Sequence, residues 1–193
     1  MTDSSARPAP RRRDPEGRRR EILIAASELV VENGAASLTH RAVATRAGVP
    51  LGSTTQYFAS IDEIREAALQ LLADEIDESL ARMEVYIDQV ADDPDPLIDE
   101  FCLFLHDQRA LNADIALMTT ATTDPHLRAL ALRWTDRLID MLARTLGPER
   151  ATAIATYYDG VTIHAGLHEH PLDRDTIKRT VQALIAMPDP APR

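Results

Sequence analysis

From Ile22 to Met187 the apolar residues return every three or four positions, and each interruption carries the signature of a helix end. Ile22, Ala25, Ala26, Leu29 and Val30 share one face, and Asn33-Gly34 supplies a left-handed stop. Thr39 can cap a short helix running to Ala47, with Gly48 ending it, and residues 50–57 can form another. Ser60-Ile61-Asp62-Glu63 is a capping box. It predicts a long helix carrying Ile64, Ala68, Leu71, Leu72, Ile76, Leu80, Met83, Ile87 and Val90. Asp92-Asp93-Pro94-Asp95-Pro96 breaks the chain. Helices are expected at 96–108 and 110–121, and then from Asp124-Pro125 (cap, then proline at the first helical position) to Leu146. Gly147-Pro148 stops that helix, and two more follow over 149–167 and Asp173–Met187. No strand alternation or internal repeat is present. A chain of this kind buries its apolar surface only by packing helix on helix, so the expectation is an all-α protein of about nine helices.

Charge divides the chain in two. The net charge is −10, yet residues 1–58 hold 9 arginines against 6 acidic residues, while the remainder holds 12 basic against 25 acidic residues. A basic head on an acidic body is compatible with nucleic-acid binding, because the local field sets the contact and an acidic body favours one docking orientation. Arg7, Arg11, Arg12, Arg13, Arg18, Arg19 and Arg20 crowd the start of the chain. Residues 1–16 have no apolar period and are expected to be a disordered arm, either a solubilising tail or a segment lying along phosphates or in the minor groove. Residues 188–193 are expected to be a frayed tail. No apolar run approaches the ~18 residues of a membrane span. The single cysteine, Cys102, rules out an intramolecular disulfide and suits a reducing cytoplasm.

The segment from Leu38 to Phe58 is the most informative. Two helices of two turns each, joined at Gly48-Val49-Pro50, make a helix-turn-helix. Val43, Ala44, Ala47 and Val49 are small enough to let the helices cross closely. The second helix, Gly52-Ser53-Thr54-Thr55-Gln56-Tyr57, has poor helix propensity and almost no apolar face before Phe58. Those properties suit entry into a groove, where short side chains permit close approach and hydroxyls and an amide bond to base edges and phosphates. Gln56 can pair with adenine, and Arg41 can reach guanine or a phosphate.

Residues 18–64 resemble the DNA-binding domain of the TetR family. The residues that carry the resemblance are Thr39, Ala47-Gly48-Val49, Gly52-Ser53, Tyr57-Phe58 and Ser60-Ile61-Asp62-Glu63. It implies a DNA-binding unit over 17–63 and a ligand-binding and dimerisation unit over 64–187. Thr39 and Tyr57 would then hold phosphates, Arg41 would read a base, and Leu51, Ser53, Thr55 and Gln56 would face the groove. The chain departs from the family pattern in three places. Leu51 and Ile61 stand where a basic residue is common, and Thr55 where Tyr is common. The arginine-rich arm is expected to supply the missing charge.

Beyond residue 64 the resemblance is architectural, implying a pocket within the body and a dimer formed by the last two helices. The apolar stripes Ile154, Tyr157, Tyr158, Val161, Ala165 and Ile177, Val181, Leu184, Ile185 suit a four-helix dimer seam, with a purely intramolecular core as the alternative. Pocket candidates are Phe101, Phe104, Leu105, Met118, Trp134, Leu138 and Tyr158. His106 and Arg109 can meet a carboxylate or simply sit on the surface. His164 and His168 have metal-capable spacing, but favourable charge near a helix C-terminus explains them better, so no metal or cofactor is expected.

There is no nucleophile motif, glycine-rich phosphate loop or HExxH that would point to an enzyme. The expected function is that of a cytoplasmic repressor that binds a palindromic DNA operator as a homodimer and is released by a small-molecule inducer, with no membrane partner. A long helix opening at Ser60 would act as the lever between head and body. A dimeric DNA-binding protein without a ligand is the second reading.

Overall fold

Five of the nine α-helices among the described residues open on a side-chain cap that the sequence places there. The computed structural model describes residues 14–125 and 127–188. The Asp14 carboxylate accepts from Gly17 N at 2.9 Å and opens α1 (Pro15–Asn33), which begins before the end of the expected disordered arm because this cap satisfies a free helical N–H. Residues 1–13 and 189–193 lie outside the described residues, and with them most of the arm and tail. Thr39 Oγ1 accepts from Ala42 N at 3.1 Å at the head of α2 (His40–Ala47). Gly48 closes that helix at φ 64°, ψ 32°, a left-handed conformation that a side chain would strain. Val49 is buried at the turn and α3 (Leu51–Tyr57) follows.

Ser60 Oγ accepts from Glu63 N at 3.1 Å and opens α4 (Ile61–Met83); the reciprocal bond runs from Ala59 N to Glu63 Oε2 at 2.6 Å. The α-helix stops at Met83, short of the expected Val90, and a 3-10 segment continues over Glu84–Gln89. Val85-Tyr86-Ile87 loses rotamer freedom in an α-helix, and the tighter winding still turns Ile87 and Val90 inward. The Ile87 carbonyl receives the Thr145 hydroxyl at 3.2 Å.

The body continues with α5 (Asp95–His106), α6 (Gln108–Thr123), α7 (Arg128–Leu146), α8 (Pro148–Leu167) and α9 (Arg174–Ile185). Asp124-Pro125 does not open α7 as expected. Leu127 N bonds to the Asp124 carbonyl at 3.1 Å, so the pair makes a turn that carries Leu127 into the core before the helix starts. Among the described residues nine α-helices and no strand occur.

Helix α1 packs against α2 and α4, and on its other side against α6. Ile22, Ala26, Val30, Val43, Phe58 and Ile64 bury themselves between the head helices, and Arg19 lies over the Phe58 ring at 4.8 Å. In the body, α7 and α8 form an antiparallel pair across Gly147. Phe101 of α5 stacks on Tyr158 of α8 with ring centroids 3.9 Å apart, at the centre of the core. Gly166 lets α8 approach α6, since a Cβ there would collide with Ile115.

Candidate functional site

The outer face of α3 is open. Leu51 is 48% exposed, Thr55 and Gln56 are exposed, and Ser53 and Tyr57 are half-buried. Gly52 has open space where a Cβ would stand, so the backbone itself can approach a partner. The inner face is anchored by a contact that sequence reasoning missed. Thr54 is fully buried, and its hydroxyl donates to the Leu51 carbonyl at 2.8 Å. It therefore accepts from His40 Nδ1 at 3.0 Å, tying α3 to the start of α2. The signal was present, since a threonine is the one polar residue on a face that must pack. Thr39 and Arg41 are exposed beside this face, although Thr39 also spends a lone pair on its cap. The structure thus brings Thr39, Arg41, Leu51, Ser53, Thr55, Gln56 and Tyr57 together around one helix-turn-helix.

A second feature lies in the body. A cavity of about 390 Å³ opens between α4, α5, α6 and α7. Of the residues expected there, Phe104 and Trp134 line it. Phe101, Leu105, Leu138 and Tyr158 are buried in the core behind it, and Met118 is half-buried away from its wall. The apolar pattern could not separate wall from core, because both are apolar on the same helix faces.

The wall also carries charge that hydrophobic patterning passes over: Glu75, Arg82, Glu100, Asp107, Arg109 and Asp114. Arg109, at the start of α6, donates to Glu28 of α1 (2.7 and 2.9 Å) and to Glu75 of α4 (2.7 Å). Its hydrogen bonds to Glu75 and Glu28 hold the guanidinium even more firmly protonated than usual. One side chain therefore joins head, connecting helix and body at the mouth of the cavity. Asp114 is 5% exposed, and burial followed by repulsion from Asp159 pushes its carboxyl up to about 7.

Residues 22–73 match the family model for bacterial regulatory proteins of the tetR family, and residues 98–189 match that for the tetracyclin repressor-like C-terminal domain. A TetR-family member from Streptomyces coelicolor is 31% identical, with a TM-score of 0.78 over 88% of this chain and 99% of that one. The chain belongs to the TetR family. The multidrug binding protein EbrR, complexed with proflavin, is 31% identical with a TM-score of 0.72 over 86% of this chain and 99% of that one. Its ethidium complex is also 31% identical, with a TM-score of 0.74 over 88% and 99%. No curated protein sequence matches. As a TetR-family transcriptional regulator the protein is not an enzyme, and its helix-turn-helix is a DNA-binding domain. No helix among the described residues is long and apolar enough to cross a membrane.

In this TetR-family chain the stripes read as a dimer seam are largely spent within the protomer. Ile154, Val161, Ala165, Ile177 and Val181 are buried against the chain's own helices, as is Tyr158. Tyr157, Leu184 and Ile185 stay half-buried on the outward side of α8 and α9. The periodicity located the helix faces but did not distinguish the side facing the core from the side left over. His164 and His168 do not form a chelating pair. His168 lies just beyond α8, its ring stacks on His164 at 3.7 Å, and its Nδ1 bonds to the His164 carbonyl at 2.8 Å. Stacked rings hold their in-plane lone pairs parallel instead of converging on an ion.

Proposed function

We propose that this TetR-family regulator is a repressor that binds a palindromic operator as a homodimer and leaves it when a small organic molecule occupies the body cavity. The reading rests above all on Arg109. The cavity wall includes both Arg109 and Glu75, and the same guanidinium holds Glu28 in the head. A ligand that binds better when this three-way tie is rearranged shifts α4 relative to α1, and with it the separation of the two heads. EbrR's complexes with proflavin and ethidium support a small-molecule ligand for a body of this architecture. The cavity favours this reading over a dimer with no ligand, which would call for a filled core.

In this reading residues 17–63 form the DNA-binding unit and 64–187 the sensing and pairing unit, working in the cytoplasm where the DNA is. Thr39 and Tyr57 hold phosphates, Arg41 meets a base or phosphate, and Leu51, Ser53, Thr55 and Gln56 enter the major groove. The partner covers the outward side of α8 and α9 around Tyr157, Leu184 and Ile185, extended by Leu167, which is 78% exposed.

Fluorescence anisotropy on the DNA upstream of the protein's own gene, over a salt series, tests the reading. Saturable binding at least about a hundredfold tighter than to a scrambled duplex, at two protomers per site, is the expected result. Equal binding to both duplexes would sink it.

A further inference from the structure

The cavity is negatively biased, with four carboxyl groups against two guanidiniums on its wall. Arg109 is already engaged by Glu75 and by Glu28 from outside the wall. Arg82 donates to the Ser79 hydroxyl and the Glu78 carbonyl. Deepest among the carboxyls is Asp114 in the middle of α6, which lines the cavity close to Trp134. Among the described residues no donor or cation reaches its carboxyl, and the charge that acts on it, from Asp159, is of like sign. Asp159 itself takes the Thr135 hydroxyl at 3.3 Å, and Arg133, on the same turn of α7, is held by Asp74 and Asp77. A buried carboxyl with no partner is destabilising wherever a leucine would fit, so its presence on a cavity wall points to a guest that supplies the missing charge.

We propose that the Asp114 end of the cavity is a recognition site for a hydrophobic organic cation, such as a protonated arylalkylamine, whose ammonium pairs with the Asp114 carboxylate while its ring lies among Leu72, Ile76, Phe104 and Trp134. This rests on the reading of the cavity as the ligand site. About 390 Å³ accommodates a two-ring skeleton with its side chain. The indole of Trp134 adds a face that attracts cations. Because the carboxyl sits near 7 without a guest, a cation that needs it ionised displaces its proton on binding. The charged groups around it are Glu75, Asp77 and Arg82 of α4, Glu100 of α5, Asp107 and Arg109 at the start of α6, Arg133 of α7 and Asp159 of α8.

Isothermal titration of the DNA-free protein with three probes of one skeleton tests the proposal: 2-(1-naphthyl)ethylamine, 2-(1-naphthyl)ethanol and 1-naphthaleneacetate. At pH 8 the amine is expected to bind at least tenfold more tightly than the alcohol, and the carboxylate most weakly. In Asp114→Asn the amine should lose that preference while the alcohol keeps its affinity. With the wild type, amine binding at pH 7 should release about half a proton per ligand, read from the dependence of the heat on the buffer's ionisation enthalpy, so the proposal does not hang on the variant's folding. Equal binding of amine and alcohol, a preference that survives Asp114→Asn, or no proton release would overturn it and leave the cavity as a neutral-ligand site. If none of the three probes binds, the reading of the cavity as a ligand site fails too.

Discussion

The head and the body solve opposite problems with the same element. In the head, polar side chains find partners close in sequence: Thr39 on Ala42, the buried Thr54 on Leu51, Ser60 on Glu63. What remains free points outward, on α3 and at Arg41, as a surface meant to be completed by a polymer must be. In the body, ion pairs join elements far apart in sequence, with Arg109 reaching back 81 residues to Glu28, and a carboxyl is left inside that meets no partner among the described residues. A recognition surface on DNA needs one rigid, short-range unit that can be pressed against a rod. A sensor needs a cavity whose walls belong to several helices, so that filling it moves them relative to one another.

The contrast can be broken most sharply at Gly52. Open space surrounds its Cβ position, so Gly52→Leu should fold at least as well as the parent by circular dichroism. Its bulk on the groove face should lower operator affinity about a hundredfold, roughly 2.7 kcal/mol. Retained affinity would mean that α3 does not enter the groove. Next in size is removal of residues 1–13, which carries away Arg7, Arg11, Arg12 and Arg13 but spares the Asp14 cap. Operator affinity should drop about tenfold, and the salt slope should fall by roughly one for each phosphate that the arm neutralises, up to about four. An unchanged slope would show that the arm is only a tail.

Arg109→Ala cuts the tie between the two regions. We expect operator affinity to fall about fivefold without any change in the salt slope, because the residue meets no phosphate, together with weaker coupling between ligand and DNA. A mutant in which ligand still releases DNA as in the parent would place the coupling elsewhere. The smallest effect concerns stability alone. The Asp114 carboxyl is raised in the folded state, so the fold is favoured while it is protonated and loses that advantage as pH rises towards and through about 7. Asp114→Asn should therefore melt at least ~3 °C higher than the parent at pH 8, with the gap narrowing as pH falls from about 7 and closing only near pH 4, where the carboxyl is protonated in the unfolded chain as well. A difference of the same size at both pH values would remove the ionisation from the explanation.

The head was legible because its information is local. Gly48 marks the turn, Thr39 and Ser60 mark helix starts, and the run from Gly52 to Gln56 is polar where a stable helix would not be. Even so, His40 passed unnoticed, since nothing within its own helix shows that Thr54, fourteen residues on, comes within 3.0 Å of it. The body was legible only as a set of helices. Phe104 and Phe101 belong to the same helix and the same residue type, yet one lines a cavity and the other stacks on Tyr158. Ile177 and Ile185 lie on one expected stripe, yet only the first is buried in the protomer. Arg109 was legible as a residue able to meet a carboxylate, but nothing in the sequence named Glu28 and Glu75 as its partners, and Asp114 carried no pattern at all.

The sequence by itself determined that this chain is helical, where most of its helices start and stop, and that its first third is built to meet DNA. Those properties depend on backbone donors, caps and spacings that act within a few residues. Only the tertiary structure decided where α4 gives way to tighter winding, which apolar residues border a cavity, and which carboxylates share Arg109 while Asp114 meets no cation among the described residues. Those outcomes depend on the distances between helices remote in sequence, and periodicity along one helix contains no information about what stands opposite it.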